Sequence, residues 1–156
     1  MKKLSTKHKV ALVEIVIVVA LALWLFLPKS FERAMNYDFA PAQVTEVEAT
    51  LAPRETGEAL TIVIDPKTEA YDQLMDLLES KRYMAQGDGG QDRGLTLDYG
   101  VVIEFRQGMD RFELAFTGAE QMDFTGGDDD VRAYRTSGSK AFQQEVMKLL
   151  LAQPLV

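Results

Sequence analysis

The chain is predicted to be an α+β protein, with an N-terminal transmembrane helix followed by an antiparallel sheet in the order β-β-α-β-β-β-β-α and helices packed on one face. Three observations carry this. The run Val10–Leu27 is apolar apart from Glu14. Period-two alternation recurs in short stretches divided by Gly-, Asp- and Pro-containing turns. Two further stretches, from Tyr71 to Leu78 and from Phe142 to Leu150, carry apolar residues at helical spacing.

The apolar run comes first. Its eighteen residues span roughly 27 Å as a helix, close to the ~30 Å hydrocarbon core of a bilayer. Thirteen of them are Val, Ile, Leu or Phe. At about −0.3 to −0.6 kcal/mol each they favour insertion by roughly −4 to −8 kcal/mol, against about +2.5 to +3.5 kcal/mol for one central charge. Glu14 lies one turn inside the boundary, where its carboxylate reaches the interface at lower cost. Trp24 and Phe26 stand at the other end, suited to the headgroup region. Lys2, Lys3, Lys7 and Lys9 precede the span and keep the N-terminus cytoplasmic, so the C-terminal part is exported. Ala20-Leu21-Ala22 has the small-x-small form of a signal peptidase site, but cutting there would expose Leu23–Leu27 as an apolar new terminus. An uncleaved signal anchor is therefore expected. The predicted organisation is a basic cytoplasmic tail (1–9), the membrane helix (10–27), a tether (28–42) and an extracytoplasmic α+β domain (43–156).

Within that domain, Val47, Ala49 and Leu51 alternate with Glu46, Glu48 and Thr50, which predicts a half-buried strand. Leu60–Ile64 predicts a second, and the two suggest a hairpin. Asp65-Pro66 reads as a helix start, with Asp65 as cap and Pro66 in the first helical position, and the helix runs to about Ser80. Its stripe of Tyr71, Leu74, Met75 and Leu78 is what packs on the sheet. Tyr83–Gln86 is a candidate start of another strand. Strand-like runs follow at Leu95–Tyr99, Val101–Arg106, Arg111–Phe116, Gln121–Thr125 and Val131–Arg135, with Gly100 as the point where the first two would separate. Their tight turns, among them Gln107–Asp110, argue for an antiparallel meander. A closing helix is expected from a Ser137 or Ser139 cap, with Phe142, Val146, Leu149 and Leu150 buried and Pro154 ending it.

Composition excludes several functions. Residues 28–156 carry thirteen Lys or Arg against twenty-three Asp or Glu, a net charge of −10. That charge repels phosphate backbones, so no nucleic acid is expected as a partner. There is no cysteine, and the one histidine, His8, lies in the basic tail. The usual zinc sites, Ser-His-Asp triads and Cys-His pairs are therefore unavailable to the exported part. No Gly-rich phosphate-binding pattern occurs, so no catalytic residue, cofactor or metal ligand is assigned. Asp128-Asp129-Asp130 with Asp123 raises the question of Ca²⁺, but the spacing departs from an EF-hand loop: counted from Asp123, the sixth residue is Asp128 and the twelfth Tyr134. A solvated acidic turn is expected. The Gly87–Gly94 and Gly126–Asp130 loops are the candidate recognition surface, because loops on a rigid sheet commonly carry binding.

Two resemblances bear on the role. Thr61-Ile62-Val63-Ile64-Asp65 leading into Leu74–Leu78, with Val101-Val102-Ile103-Glu104-Phe105, resembles small membrane-anchored, lipoprotein-like α+β domains of Gram-positive bacteria. It implies a hairpin, helix, meander and closing helix outside the cell. Ala11–Val19, with Glu14 in an apolar run, resembles the N-terminus of type IV pilins and pseudopilins, in which a glutamate aligns filament subunits and the helix continues into the exported domain. The expected function is a membrane-anchored, non-enzymatic binding or sensing module of the bacterial cell envelope with a protein partner there. The alternative is a pilin-like structural subunit.

Overall fold

The computed structural model describes residues 6–53, 57–86, 99–118, 121–127 and 130–155. They form an α+β fold with one seven-stranded, wholly antiparallel sheet. In chain order the elements are α1 (Thr6–Phe26), α2 (Phe31–Met35), a 3-10 turn (Pro41–Gln43), β1 (Glu46–Pro53), β2 (Leu60–Ile64), α3 (Glu69–Glu79), β3 (Met84–Ala85), β4 (Tyr99–Gln107), β5 (Asp110–Phe116), β6 (Met122–Thr125), β7 (Val131–Arg135) and α4 (Ser139–Leu151). The strands lie in the order β2-β1-β4-β5-β6-β7-β3.

Register explains the two faces. Directly opposed residues share a face, and Val47 opposes Ile64 and Phe105, Ile103 opposes Leu114, and Leu114 opposes Phe124. All six are buried. Ring contacts join this face to the helices: Phe31 of α2 lies 5.9 Å from both Phe105 and Phe124, and Phe142 of α4 lies 6.1 Å from Phe116. The alternate residues Glu46, Glu104, Arg106, Arg111 and Glu113 share the opposite face.

Several sequence expectations are corrected. Five strands follow α3 where the expected order has four; the fifth is two-residue β3 on the sheet edge, inside the Tyr83–Gln86 stretch read as a candidate strand start. The strand through Gly100 is continuous from Tyr99, and the rest of the expected Leu95–Tyr99 strand lies outside the described residues. The middle helix starts at Glu69 with Thr68 as its cap residue, because Asp65 closes a turn on itself. Its Oδ1 accepts the Lys67 N–H (2.9 Å), while its carbonyl accepts the Thr68 hydroxyl and N–H (2.7 and 3.0 Å). The closing helix has Gly138, with a left-handed φ of 67°, at its cap position, and Ser139 is its buried first residue. Its stripe is Phe142, Val146 and Leu150, with Leu149 only partly buried.

The β4–β5 hairpin turns through Gly108 and Met109, between the paired Gln107 and Asp110. Gly108 has φ +62°, the conformation that short hairpin loops demand. Gly108→Val is expected to cost about 1–2 kcal/mol, the penalty for an L side chain in that region, read as a lower unfolding midpoint.

Residues 28–42, read from the sequence as a tether, supply core. Phe31, Ala34 and Met35 are fully buried and Phe39 nearly so. Phe31 contacts four rings, those of Phe39, Tyr83, Phe105 and Phe124, at 5.7–5.9 Å. The segment is sewn to the sheet edge by a bridge between Lys29 and Tyr83, whose N–H groups donate reciprocally at 2.7 and 2.9 Å. Tyr83 also donates its hydroxyl to the Leu78 carbonyl at 2.7 Å, in a buried position. Tyr83→Phe should lower stability by about 1 kcal/mol, the net worth of one such bond.

α1 has 21 residues, roughly 31 Å of helix. It ends at Phe26, ahead of Pro28, and does not run on into the domain as the pilin resemblance implies. Among the described residues no helix is long and apolar enough to cross a membrane.

Candidate functional site

A cleft of about 820 Å³ opens where β1 begins and β2 ends. The sheet order brings these two ends together, because antiparallel pairing sets Val47 opposite Ile64. One wall is the 3-10 turn with Pro41 and Val44, and the other is the Asp65–Lys67 turn with the first residues of α3. Tyr71 of α3 ties the walls together by donating its hydroxyl to the Pro41 carbonyl at 2.7 Å. Glu46, Asp65 and Asp72 line the cleft against a single cation, Lys67. Val63, on the outer strand, is 41% exposed beside it. A lining that combines three carboxylates with apolar residues such as Pro41, Val44, Val63 and Ile64 suits a basic side chain with an aliphatic stem.

The electrostatics of the cleft follow from its burial and acids. The Tyr71 phenol is pushed up to about 12 by burial first, and then by Glu79 and Asp72. Burial also drives the Tyr83 phenol well above its ordinary range. A raised phenol favours the folded state while neutral. That contribution is complete below the unfolded value near 10 and is lost as pH rises through about 12. Alkaline titration followed by phenolate absorbance should show Tyr71 ionising late, together with weakening of the fold between those values. Ionisation of all five tyrosines at the model-peptide value of about 10 would contradict this.

β2 is also the outermost strand at that side, with no strand beyond it among the described residues. The opposite edge, β3, is where the Lys29–Tyr83 bridge joins the segment after α1. Six strand spacings at ~4.8 Å put the two edges roughly 29 Å apart. Among the described residues the β2 edge therefore stands at the opposite side of the sheet from the strand that the segment after α1 joins.

The open sheet face holds a charge ladder. Arg106 opposes Arg111, and Glu104 opposes Glu113. Like charges set directly across are unfavourable, and the diagonals resolve them. Glu104, its side chain 11% exposed, accepts from Arg106 Nε at 3.0 Å and pairs with Arg111. Glu46 sits across from Arg106 at 3.7 Å. The hydrogen bond that Arg106 donates to Glu104, and then the field of Glu46, raise the Arg106 guanidinium further. This ladder uses its charges internally and is structural.

Of the recognition loops expected from sequence, 87–94 lies outside the described residues, as do Asp128 and Asp129. Asp130 pairs with Arg132 Nε at 3.4 Å, and Asp123 accepts from Gln121 at 3.1 Å. Among the described residues no group of three or more His, Asp or Glu is placed to hold a metal ion. The cleft escaped sequence reasoning because Pro41, Glu46, Asp65 and Tyr71 meet only through the β1–β2 register and the position of α3. The one usable signal was Asp65-Pro66 following an apolar strand, which marked a turn at that strand's end.

Comparison with known proteins finds no matching family model, no similar curated protein and no similar solved structure.

Proposed function

We propose that this chain is a single-pass, N-terminally anchored protein whose acidic α+β domain is a non-enzymatic binding module outside the cytoplasm. The observation that carries the reading is α1. Twelve large apolar side chains from Val10 to Leu27 are each at least half exposed. They surround the helix on all sides instead of forming one stripe, the pattern of a helix immersed in lipid. Left in water, so large an apolar surface would drive aggregation.

The binding surface is the cleft with the free β2 edge. An extended segment of an envelope protein adds to β2 by backbone pairing and seats a basic side chain between Glu46, Asp65 and Asp72. The net charge of −10 on residues 28–156 draws such a partner toward it. The test uses the full chain in nanodiscs and an end-blocked peptide alternating valine and lysine. Hydrogen exchange should slow over residues 60–64 when the peptide is added, and a peptide alternating valine and glutamate should leave it unchanged. Equal effects from both peptides, or none from either, would contradict the assignment.

A further inference from the structure

The junction between α1 and the sheet carries a second site of opposite character. Trp24, Leu27, Pro28, Lys29, Arg33 and Tyr37 line a pocket of about 60 Å³, room for one small group. The side chains of its lining residues bring an indole N–H, a phenol hydroxyl, an ammonium and a guanidinium, each able to donate. No carboxylate lines it, in a region whose net charge is −10. Glu32, between the two cations in sequence, acts elsewhere. It helps burial raise the Glu79 carboxyl on α3. Arg33 is exposed and forms no ion pair among the described residues.

The pocket is also held in place. Lys29 is fixed through its backbone to Tyr83, and its Nζ lies 3.3 Å from the Tyr134 hydroxyl and 5.5 Å from that ring's centroid. Tyr37 is 70% exposed and Trp24 59% exposed, so neither ring is occupied by the core. Basic residues just beyond a span on its exported side run against the usual charge bias. Two of them beside two interfacial aromatic rings call for an anionic counterpart at headgroup depth.

We infer that this pocket binds the phosphate of an anionic lipid headgroup in the outer leaflet, with Lys29 and Arg33 as cations and Trp24 and Tyr37 marking headgroup depth. The inference rests on α1 being the membrane anchor. Bound there, the lipid fixes the height of the sheet over the bilayer, because the pocket is joined to the β3 edge by the Lys29–Tyr83 bridge.

Trp24 is the one tryptophan of the chain, so its fluorescence reads the site directly. The full chain is placed in bilayers containing brominated phosphatidylcholine or, at the same mole fraction, brominated phosphatidylglycerol. Quenching by either lipid reports insertion, and absence of quenching by both would overturn the anchor reading itself. Lipid capture predicts that phosphatidylglycerol associates roughly fivefold more strongly than phosphatidylcholine, the worth of about one cation at the surface. Arg33→Gln should bring that ratio close to one and Arg33→Lys should keep most of it. Equal quenching by the two lipids in the unaltered chain would overturn the inference while leaving the anchor intact. A preference that survives Arg33→Gln together with Lys29→Gln would overturn it equally.

Discussion

Arginine at both Ile17 and Val18 is expected to remove the chain from the membrane fraction. Both residues lie near the middle of the apolar run and are more than half exposed on α1. Two central arginines add about +5 to +7 kcal/mol on the insertion scale, and the lost aliphatic residues add roughly +1 more. The apolar run supplies only about −4 to −8 kcal/mol, so the balance moves to roughly −2 to +4 kcal/mol and insertion loses most or all of its drive. Resistance to alkaline carbonate extraction is the measurement. The unaltered chain should stay with the membranes and the double variant should leave them. Glu14→Gln is the matched control: it lies one turn from the boundary, so its removal should change extraction little. A double variant that resists extraction as the parent does would remove lipid as the solvent of α1.

Truncating Phe31 to alanine should be the most destabilising single change in the folded domain, by about 3–5 kcal/mol. Phe31 is fully buried and touches four rings, so its loss leaves a cavity bounded by side chains from the sheet, the 28–42 segment and the residues after α3. That is a large part of the roughly 5–15 kcal/mol that holds a domain folded. Tyr37→Ala, six residues on and 70% exposed, should change stability by no more than about 0.5 kcal/mol. Denaturant unfolding of the two variants in the same detergent separates the outcomes. A cost at Phe31 close to that at Tyr37 would mean that the segment after α1 is not part of the core. The same substitution tests the connection between α1 and the sheet, since Phe31 lies two residues beyond the Lys29–Tyr83 bridge.

The contrast between these residues shows how far the sequence could be read. Alternation at Val47, Ala49 and Leu51, and the helical stripe Tyr71, Leu74, Met75 and Leu78, are local patterns, and each matched what is buried. The hairpin at Gly108-Met109 was equally local, and with its register the Glu104–Arg106–Arg111–Glu113 ladder was within reach. Phe31 was different. Its partners come from four separate places in the chain, and a short five-residue helix has too few turns to display a period. Asp65-Pro66 misled for a local reason, since the same two residues start a helix or close a turn. Here Thr68 decides for the turn by donating both its hydroxyl and its N–H back to Asp65. The cleft was least legible, because it exists only where the ends of β1 and β2 meet the turn before α3.

The absence of cysteine allows the topology to be read with a single reporter at a time. Met109→Cys places a thiol on the fully exposed tip of the β4–β5 hairpin, and Ser5→Cys places one in the basic segment before α1. Intact cells carrying each variant are treated with a membrane-impermeant maleimide, and the same cells are treated after lysis. The account predicts that the thiol at 109 reacts in intact cells and the thiol at 5 only after lysis. Reaction at 5 with protection at 109 would contradict it.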